Sequence, residues 1–553
     1  MSNRKRVLLV SYYGKVCLST KILSGILRRA GHETCLIYLK DDRSTQVESV
    51  NKASSCFQFI CSDRGAAVYG TGMDVNPIRS TELDLLVNKA LEFLPDVVAI
   101  SSRSVHIEVS RVIIMLLRKV LPKATRYIAG GYGPSLEPEK FLEVFDYVCI
   151  GRGDSAVLDL VEKEDPSSCR NVATLVDGKL HIAFLDNQVD LNLRPFADWN
   201  FENKFLIEDG KIFPLHEKYD PKTYGIIASE GCPSSCTYCQ ASQWPHIYRL
   251  HGGRSPKVVM RKPDNVIAEL IHAKDHFGIE SVQFMDSIFT WHRKWFDEFM
   301  ALYNRHVALP FCCYTDARFT SRKQLVRLKE SGMFSTTVGI QSVDEESRRK
   351  VMGRRVSNER IIEFAWEVVE LGIVPTYDII VWNPFETEES LARGVDLLRQ
   401  LPKSNRIFIY ELKILPRSLL EDLFNECRPT PLSQESYMYW SWIFVMLLRS
   451  DATQEAVPAI LSNPIYKDSP HLIRERYLEI LGSQEVRERL FAIRPVAMGE
   501  MLRPTMFIEK ASLNLEGVLG EDRHYITGKT IRRPLRTGEV LCYKDFYTSY
   551  QEK

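Results

Sequence analysis

Along the first 165 residues, short continuous apolar blocks alternate with longer stretches whose apolar positions recur at helical spacing. The blocks "RVLLVS", "TCLIYL", "DVVAISS", "RYIAGG" and "YVCIG" read as strands buried on both faces, since a half-exposed strand would alternate apolar with polar. Between them, "LSTKILSGILRRAGHE", "STELDLLVNKALEFL", "EVSRVIIMLLRKVL", "EPEKFLEVF" and "SAVLDLVE" carry the helical period, with a polar excursion after the second strand. This alternation predicts an α/β fold, a Rossmann-like doubly wound parallel sheet over residues 1–165, with its ligand at the carboxyl ends of the strands. Those ends fall at Ser11–Lys15, Ser101–His106, Gly130–Pro134 and Gly151–Ser155. Glycine in three of the four would let a ligand approach the backbone closely.

A polar, mixed connector covers residues 166–215, and the alternation then restarts on a larger scale. "YGIIAS", "SVQFM", "PFCCYT", "STTVGI", "TYDIIV" and "IFIYEL" read as six strands with helices between them. Six strand–helix units over residues 216–430 predict a partial (β/α) barrel, with chemistry again at the carboxyl ends of its strands. Residues 431–495 read as helical, and the aromatic group Tyr437, Tyr439, Trp440 and Trp442 is expected to be core. Residues 496–553 turn strand-like and predict a small β-rich domain.

Composition changes this picture in three respects. With 72 basic against 71 acidic residues the formal net charge is +1, which offers no general basic surface for a nucleic-acid backbone, so no nucleic-acid partner is expected. The longest apolar run, Tyr437–Leu448, falls short of the ~20 residues that span a bilayer. The basic prefix before Val7–Val10 leads into a first strand and not a signal peptide, so no membrane association and a cytoplasmic location are expected. In a reducing compartment the 13 cysteines should be thiols or metal ligands. Three of them, Cys232, Cys236 and Cys239, stand together in "SEGCPSSCTYCQAS", directly after the first barrel strand. Three thiolates at this spacing can hold three irons of a cubane cluster and leave the fourth open to a small ligand. The same residues could hold structural zinc, with His246 or His251 as a fourth ligand.

"GCPSSCTYC" after a strand, in a six-strand α/β setting, resembles the radical S-adenosylmethionine superfamily. "FMDSIF", "VGIQSVDEE", "VMGRR" and "IIVWNPFETEES" resemble further segments of that barrel. "PDVVAISS", "YIAGGYGPSLEPEKFLE" and "DYVCIGRGDSAVLDLVE" resemble the cobalamin-binding domain that precedes the barrel in the cobalamin-dependent members. The resemblance implies that Cys232, Cys236 and Cys239 ligate a 4Fe-4S cluster whose open iron chelates S-adenosylmethionine, with Asp286, Gln341 and Ser342 as further cofactor contacts. It implies cobalamin on the first domain, contacted by the loops bearing Ser102, His106, Gly130, Gly131 and Gly151. Two departures stand out: a loop that is usually GEGE-like reads Gly151-Arg152-Gly153-Asp154, and there is no DxHxxG motif to supply a lower cobalt ligand. His106 lies near the rim, where capping a helix start is its expected role.

The activity so implied is methylation of an unactivated carbon of a small-molecule or peptide substrate, through a 5′-deoxyadenosyl radical and methylcobalamin. Electrons would come from a donor such as flavodoxin or ferredoxin. A non-methylating cyclase or rearrangement enzyme of the same class is the alternative, and a zinc-bearing binding protein the alternative of another class. "ITGKTIRRPLRTGEVLCYKDF" at 526–546 resembles the end of a SAF-type β-clip.

Overall fold

The computed structural model describes residues 4–14, 17–41, 45–46, 57–62, 65–70, 76–186, 190–219, 222–404, 406–484, 487–492, 495–497, 502, 506–512, 531, 534, 535 and 541. The chain divides into two units, one comprising Met1–Phe59, Ala67–Ser390 and Phe408–Pro431, the other Ile60–Ala66, Leu391–Ile407 and Leu432–Lys553.

The first unit holds both expected α/β sheets. In the first, Arg6–Tyr12, Glu33–Leu39, Val97–Ser101, Arg126–Gly130 and Tyr147–Cys149 are the buried apolar strands of the pattern. Val7, Leu8, Leu9 and Val10 are at most 2% exposed, as a central strand covered on both faces requires. The order, from one edge, is Lys179–Ile182, Val172–Val176, Tyr147–Cys149, Arg126–Gly130, Val97–Ser101, Arg6–Tyr12, Glu33–Leu39, Lys204–Glu208 and Lys211–Pro214. The six strands from Tyr147–Cys149 to Lys204–Glu208 run parallel, and antiparallel pairs close both edges. The sheet therefore extends to Pro214, and the stretch expected to be a connector forms its edges. The polar excursion does the opposite: its short strands Thr45–Gln46, Phe57–Ser62 and Gly65–Gly70 belong to the second sheet.

Strand order fixes where a ligand can enter. Arg6–Tyr12 lies between Val97–Ser101 and Glu33–Leu39, so the chain winds outward in opposite directions from the Arg6–Tyr12/Val97–Ser101 boundary. The crevice of a doubly wound sheet opens at that switch point, over the carboxyl ends of the two strands. The helix Ile107–Val120 follows one of them and buries Ile107, Ser110, Ile113, Ile114 and Leu117 along one stripe.

The second sheet orders its barrel strands Thr223–Ile226, Ser281–Phe284, Phe311–Tyr314, Met333–Gln341, Val374–Trp382 and Ile407–Glu411 in sequence, with the first five parallel. The helix Arg293–His306 docks on it through Trp295, Phe296, Phe299, Met300 and Tyr303. Phe284 and Phe311 meet at 5.6 Å edge to face, and Trp295 stacks on Phe299 at 4.8 Å. This is the six-stranded partial barrel that the pattern predicts.

In the second unit, the helix Gln434–Arg449 is buried from Tyr439 to Leu448 without a break. Trp442 packs against Tyr477 of the helix His471–Gln484 at 5.6 Å, so the aromatic run is core. Arg487–Ala492 and Phe507–Ser512 pair antiparallel, and Ile531, Leu535 and Leu541 are buried with Val496 and Leu502. Most of the segment likened to a SAF-type domain lies outside the described residues. Among the described residues, no helix is long and apolar enough to cross a membrane.

Candidate functional site

The three-cysteine loop leaves the barrel through a hairpin, Ser229–Gly231 against Val258–Met260. Gly231 is there by necessity: φ is +92°, and a Cβ would lie 2.0 Å from the Lys257 carbonyl oxygen. The loop is then strapped down. Cys232 N donates to Lys257 O at 3.2 Å, and Ser242 Oγ donates to the carbonyls of Cys236 (2.6 Å) and Cys239 (2.8 Å). Thr237 reaches the "VMGRR" segment, its N–H donating to Met352 O at 3.1 Å and its hydroxyl to Val351 O at 2.6 Å. Cys232 and Cys236 are buried and Cys239 half-buried. Burial pushes the Cys232 thiol up to about 12, so thiolates in this loop demand a compensating cation.

All three cysteines line one cavity of about 250 Å³ at the carboxyl end of the barrel. A single zinc ion does not suit them. Among the described residues no three His, Cys, Asp or Glu side chains converge on a single-ion site. The two candidate histidines are also engaged elsewhere, His246 Nε2 with Arg417 O at 2.8 Å and His251 Nε2 with Ser135 O at 2.8 Å. Three cysteines lining one cavity, with no fourth ligand among the described residues, fit a multinuclear cluster with one open metal.

Of the other barrel residues expected at the cofactor, Gln341 lines the cavity. It sits at φ +67°, where the register shifts between Gly339 and Gln341. Asp286 and Ser342 face elsewhere. Asp286 is 1% exposed and accepts from Ala228 N at 3.0 Å and Ser229 Oγ at 2.6 Å, so it caps the end of the first strand. Ser342 Oγ donates to Glu386 at 2.6 Å, and the same carboxylate receives Ser347 (3.0 Å) and Ser390 (2.5 Å). That serine knot ties strand ends together away from the cavity. Pattern reading missed Asp316, Arg318 and Arg354, which do line it. Arg318 grips Asp316 with two hydrogen bonds of 2.9 and 2.8 Å, while Arg354 forms an ion pair with the same carboxylate at 2.8 Å and donates to Gly339 O at 2.8 Å. The pair of guanidinium groups holds Asp316 below its usual range despite burial. Arg354 stood inside the quoted "VMGRR", so its position was visible although its role was not.

On the first domain, the glycines serve the chain's own packing. A Cβ on Gly131 would lie 2.6 Å from Ser102 O, and one on Gly151, at φ +78°, 2.5 Å from the Tyr248 hydroxyl. Gly130 has only Cys149 Cβ nearby, at an ordinary 3.6 Å. Ser102 is turned inward, its hydroxyl donating to Arg103 O at 3.2 Å. Gly131 and Gly151 thus shape loops that pack on Ser102 and on Tyr248. The inverted charge also has a partner. Arg152 Nε donates to Glu230 at 2.8 Å, two residues before Cys232, and Arg194 bridges Glu230 to Asp154. Tyr132 stacks on Trp244 at 4.7 Å beside this network.

The switch-point crevice is different. His106 starts the helix Ile107–Val120 but its side chain makes no cap bond. Its Nδ1 is buried without a hydrogen-bond partner, and its ring lies 4.9 Å from that of Tyr12. Burial lowers it to about 4, so it is a neutral imidazole. Ser11 Oγ is likewise buried and unpartnered, Val105 is 56% exposed, and beside Gly14 a Cβ would meet nothing within 4 Å. Open space, an exposed apolar side chain and orphaned polar atoms at the switch point fit a large ring-shaped cofactor with polar edges.

Fold and site together define an iron–sulfur barrel enzyme class with a second cofactor domain in front. Family models agree: "Radical SAM superfamily" matches residues 226–398 and "B12 binding domain" residues 56–161. An uncharacterized methyltransferase of Pyrococcus horikoshii is 21% identical over 281 residues, 50% of this chain and 58% of the relative. The anaerobic magnesium-protoporphyrin IX monomethyl ester cyclase of Cereibacter sphaeroides is 24% identical over 189 residues, 33% of this chain and 30% of that one. Among solved structures, the radical S-adenosylmethionine methyltransferase TsrM from Kitasatospora setae, with cobalamin and a [4Fe-4S] cluster bound, superposes with a TM-score of 0.55 at 14% identity, covering 77% of this chain and 75% of that one. The cobalamin-dependent radical enzyme OxsB with aqua-cobalamin gives 0.52 at 16%, covering 77% and 56%. The chain thus spans under two thirds of the length of its curated relatives and of OxsB. The chain is thus similar to the radical S-adenosylmethionine superfamily over its barrel and to B12-binding domains over its first sheet. Its cofactors are a 4Fe-4S cluster, S-adenosylmethionine and cobalamin.

Proposed function

We propose that this protein methylates an unactivated carbon of a small-molecule or peptide substrate, in the cytoplasm, with electrons from a flavodoxin- or ferredoxin-like donor. The observation that carries the reading is a direct bond between the two domains: Arg152 of the first grips Glu230, which leads into the cysteine loop. Bound there, the cluster with S-adenosylmethionine supplies hydrogen-atom abstraction and cobalamin carries a methyl group. Cys232, Cys236 and Cys239 would hold the cluster, and Gln341 reaches the adjoining cavity wall. Arg318 and Arg354 both pair with Asp316, so the wall beside the cysteines carries fixed charges. At the switch point, His106 and Val105 offer an uncharged surface to the corrin. The closed packing of Tyr132 on Trp244 and Tyr248 on Gly151 restricts water between the domains.

Anaerobic reconstitution with iron, sulfide and hydroxocobalamin tests this. About four irons and one cobalt per chain are expected, together with 5′-deoxyadenosine and S-adenosylhomocysteine once a methyl acceptor is present. Iron without cobalt retention would sink the proposal. Likeness to the Cereibacter cyclase favours a second reading, ring formation without methyl transfer. It would give 5′-deoxyadenosine with no S-adenosylhomocysteine.

A further inference from the structure

The barrel cavity holds four charged side chains besides the cysteines, and three of them pair with one another. Asp316 accepts from Arg318 and forms an ion pair with Arg354, and Arg354 donates to Gly339 O. The fourth, Asp378, is different. It sits in the strand Val374–Trp382, opposite Gly339 in the register. Its neighbours Tyr377 and Ile379 are fully buried on the other face of the sheet, so alternation turns Asp378 toward the cavity that the cysteines line. Among the described residues its carboxylate makes no hydrogen bond and no ion pair within 4.0 Å. Arg354 is close enough to act on it only through space.

A half-buried carboxylate without a partner costs a fold stability, and a strand position facing a cavity would tolerate an apolar residue at lower cost. Burial lifts Asp378 to about 7 in spite of Arg354, which measures how poorly the chain itself solvates the charge. Its surroundings are aromatic and soft. Tyr314, 39% exposed, and Met285, 42% exposed, line the same cavity. Tyr314 and Tyr410 both lie near enough to Asp378 for its charge to raise their hydroxyls further, beyond the effect of burial. A carboxylate beside tyrosines suits a cation, while of the arginines Arg354 keeps its buried Nε without a partner. A neutral substrate would leave Asp378 unpaired.

We propose that the substrate is a protonated amine, its ammonium paired with Asp378 and its carbon body lying along Tyr314 and Met285. The assignment rests on the reading of this cavity as the substrate chamber of a radical enzyme. It makes Asp378 a specificity-determining residue, with no part in ligating the cluster.

The test uses the full chain, reconstituted with cluster and cobalamin and saturated with S-adenosylmethionine, titrated calorimetrically with benzylamine and with its uncharged isostere benzyl alcohol. The amine should bind roughly tenfold more tightly than the alcohol. In Asp378→Asn that preference should fall to within about twofold, with alcohol binding unchanged. The melting temperature of Asp378→Asn should equal or exceed that of the parent, because the substitution removes an unpartnered charge. Equal binding of amine and alcohol to the parent, or binding of neither, overturns the proposal. So does an amine preference that survives the substitution, or a variant of lower melting temperature, which would mark a structural carboxylate. Loss of S-adenosylmethionine affinity in the variant would make the cofactor's own ammonium the partner and overturn the substrate assignment. Iron content and the reduced-cluster EPR signal are read on the same samples. Their absence from the parent defeats the radical reading itself, whereas their presence with indifferent amine binding defeats this inference alone.

Discussion

Two rims of this molecule face ligands, and they keep their polar groups in different ways. At the barrel rim, charge is abundant and mostly settled: Asp316, Arg318 and Arg354 close on one another, and Asp378 and the buried Nε of Arg354 are left open. At the switch point of the first sheet there is almost no charge, and what stands open is neutral, the Nδ1 of His106 and the hydroxyl of Ser11. Between the rims lies a third kind of surface. Arg152, Glu230, Arg194 and Asp154 pair there, with only the Nη2 of Arg152 unpartnered among their described buried atoms, and Gly131 and Gly151 let backbone and ring come into contact. Satisfied groups hold the architecture, while the unsatisfied ones mark where something else must bind. A charged chamber suits a charged small molecule, and a neutral crevice suits a large cofactor with an apolar ring.

The largest effect should come from the cysteines. Replacing Cys232 with Ala removes one of three ligands and should abolish the brown chromophore and S-adenosylmethionine cleavage, leaving far-ultraviolet circular dichroism unchanged. Cobalt retention should persist, because the switch-point crevice does not use the cysteine loop. Loss of both metals together would merge the two rims into one site and break the comparison.

Reversing the charge at the junction comes next. Arg152→Glu sets two carboxylates against each other at Glu230 and should cost about 3 kcal/mol in denaturant unfolding. The exchange Arg152→Glu with Glu230→Arg should restore roughly half of that, limited by Arg194, which would then face an arginine. Failure of the swap to recover any stability would show that the pair does not act through charge.

The glycines sharpen the contrast further. Gly151→Ala places a Cβ 2.5 Å from Tyr248 at φ +78° and should destabilise by about 1–3 kcal/mol. Gly14→Ala meets nothing within 4 Å and should leave the melting temperature nearly unchanged while weakening cobalamin retention. The opposite pattern, cobalamin lost in the first variant and stability lost in the second, would return the cofactor to the glycine-rich loops.

How much of this the sequence disclosed depended on whether a signal was contiguous. The cysteine loop was fully legible, because a cluster-binding loop is short and its ligands must be near neighbours. The parallel sheets were legible because doubly buried strands are apolar throughout. Asp286 and Ser342 were read as cofactor contacts because a polar residue at a strand end looks the same whether it meets a ligand or the next backbone N–H; only the positions of Ala228 and Glu386 tell these apart. The first domain's glycines pose a related problem, since close approach is visible in sequence but its partner is not. Arg152 read as a departure until Glu230, 78 residues away, supplied its counter-charge. Asp378 escaped notice inside "TYDIIV", where one acid among apolar residues signals nothing until the inward face of the strand is known.

The smallest effect is also the most specific, and it concerns pH. In the unfolded chain Asp378 titrates near 4, and in the folded chain near 7. Between those values the folded state binds the extra proton, so stability falls as pH rises through the window and levels off above it. Asp286, raised to about 6, contributes with the same sign, and His106, lowered to about 4, with the opposite one: its unfolded form holds the proton up to about 6.5, so its contribution rises with pH. Neither is altered by Asp378→Asn. The difference in unfolding free energy between the parent and Asp378→Asn therefore isolates the single carboxylate. It should grow in favour of the variant from pH 4 to pH 7, by about 1–3 kcal/mol at most once water in the cavity is allowed for, and stay constant above. A saturating amine should flatten the slope, because a bound ammonium returns the carboxylate toward its usual range, whereas the isosteric alcohol should not. A flat difference without ligand would mean that Asp378 is already paired, and the barrel rim would then be as fully satisfied as the junction between the domains.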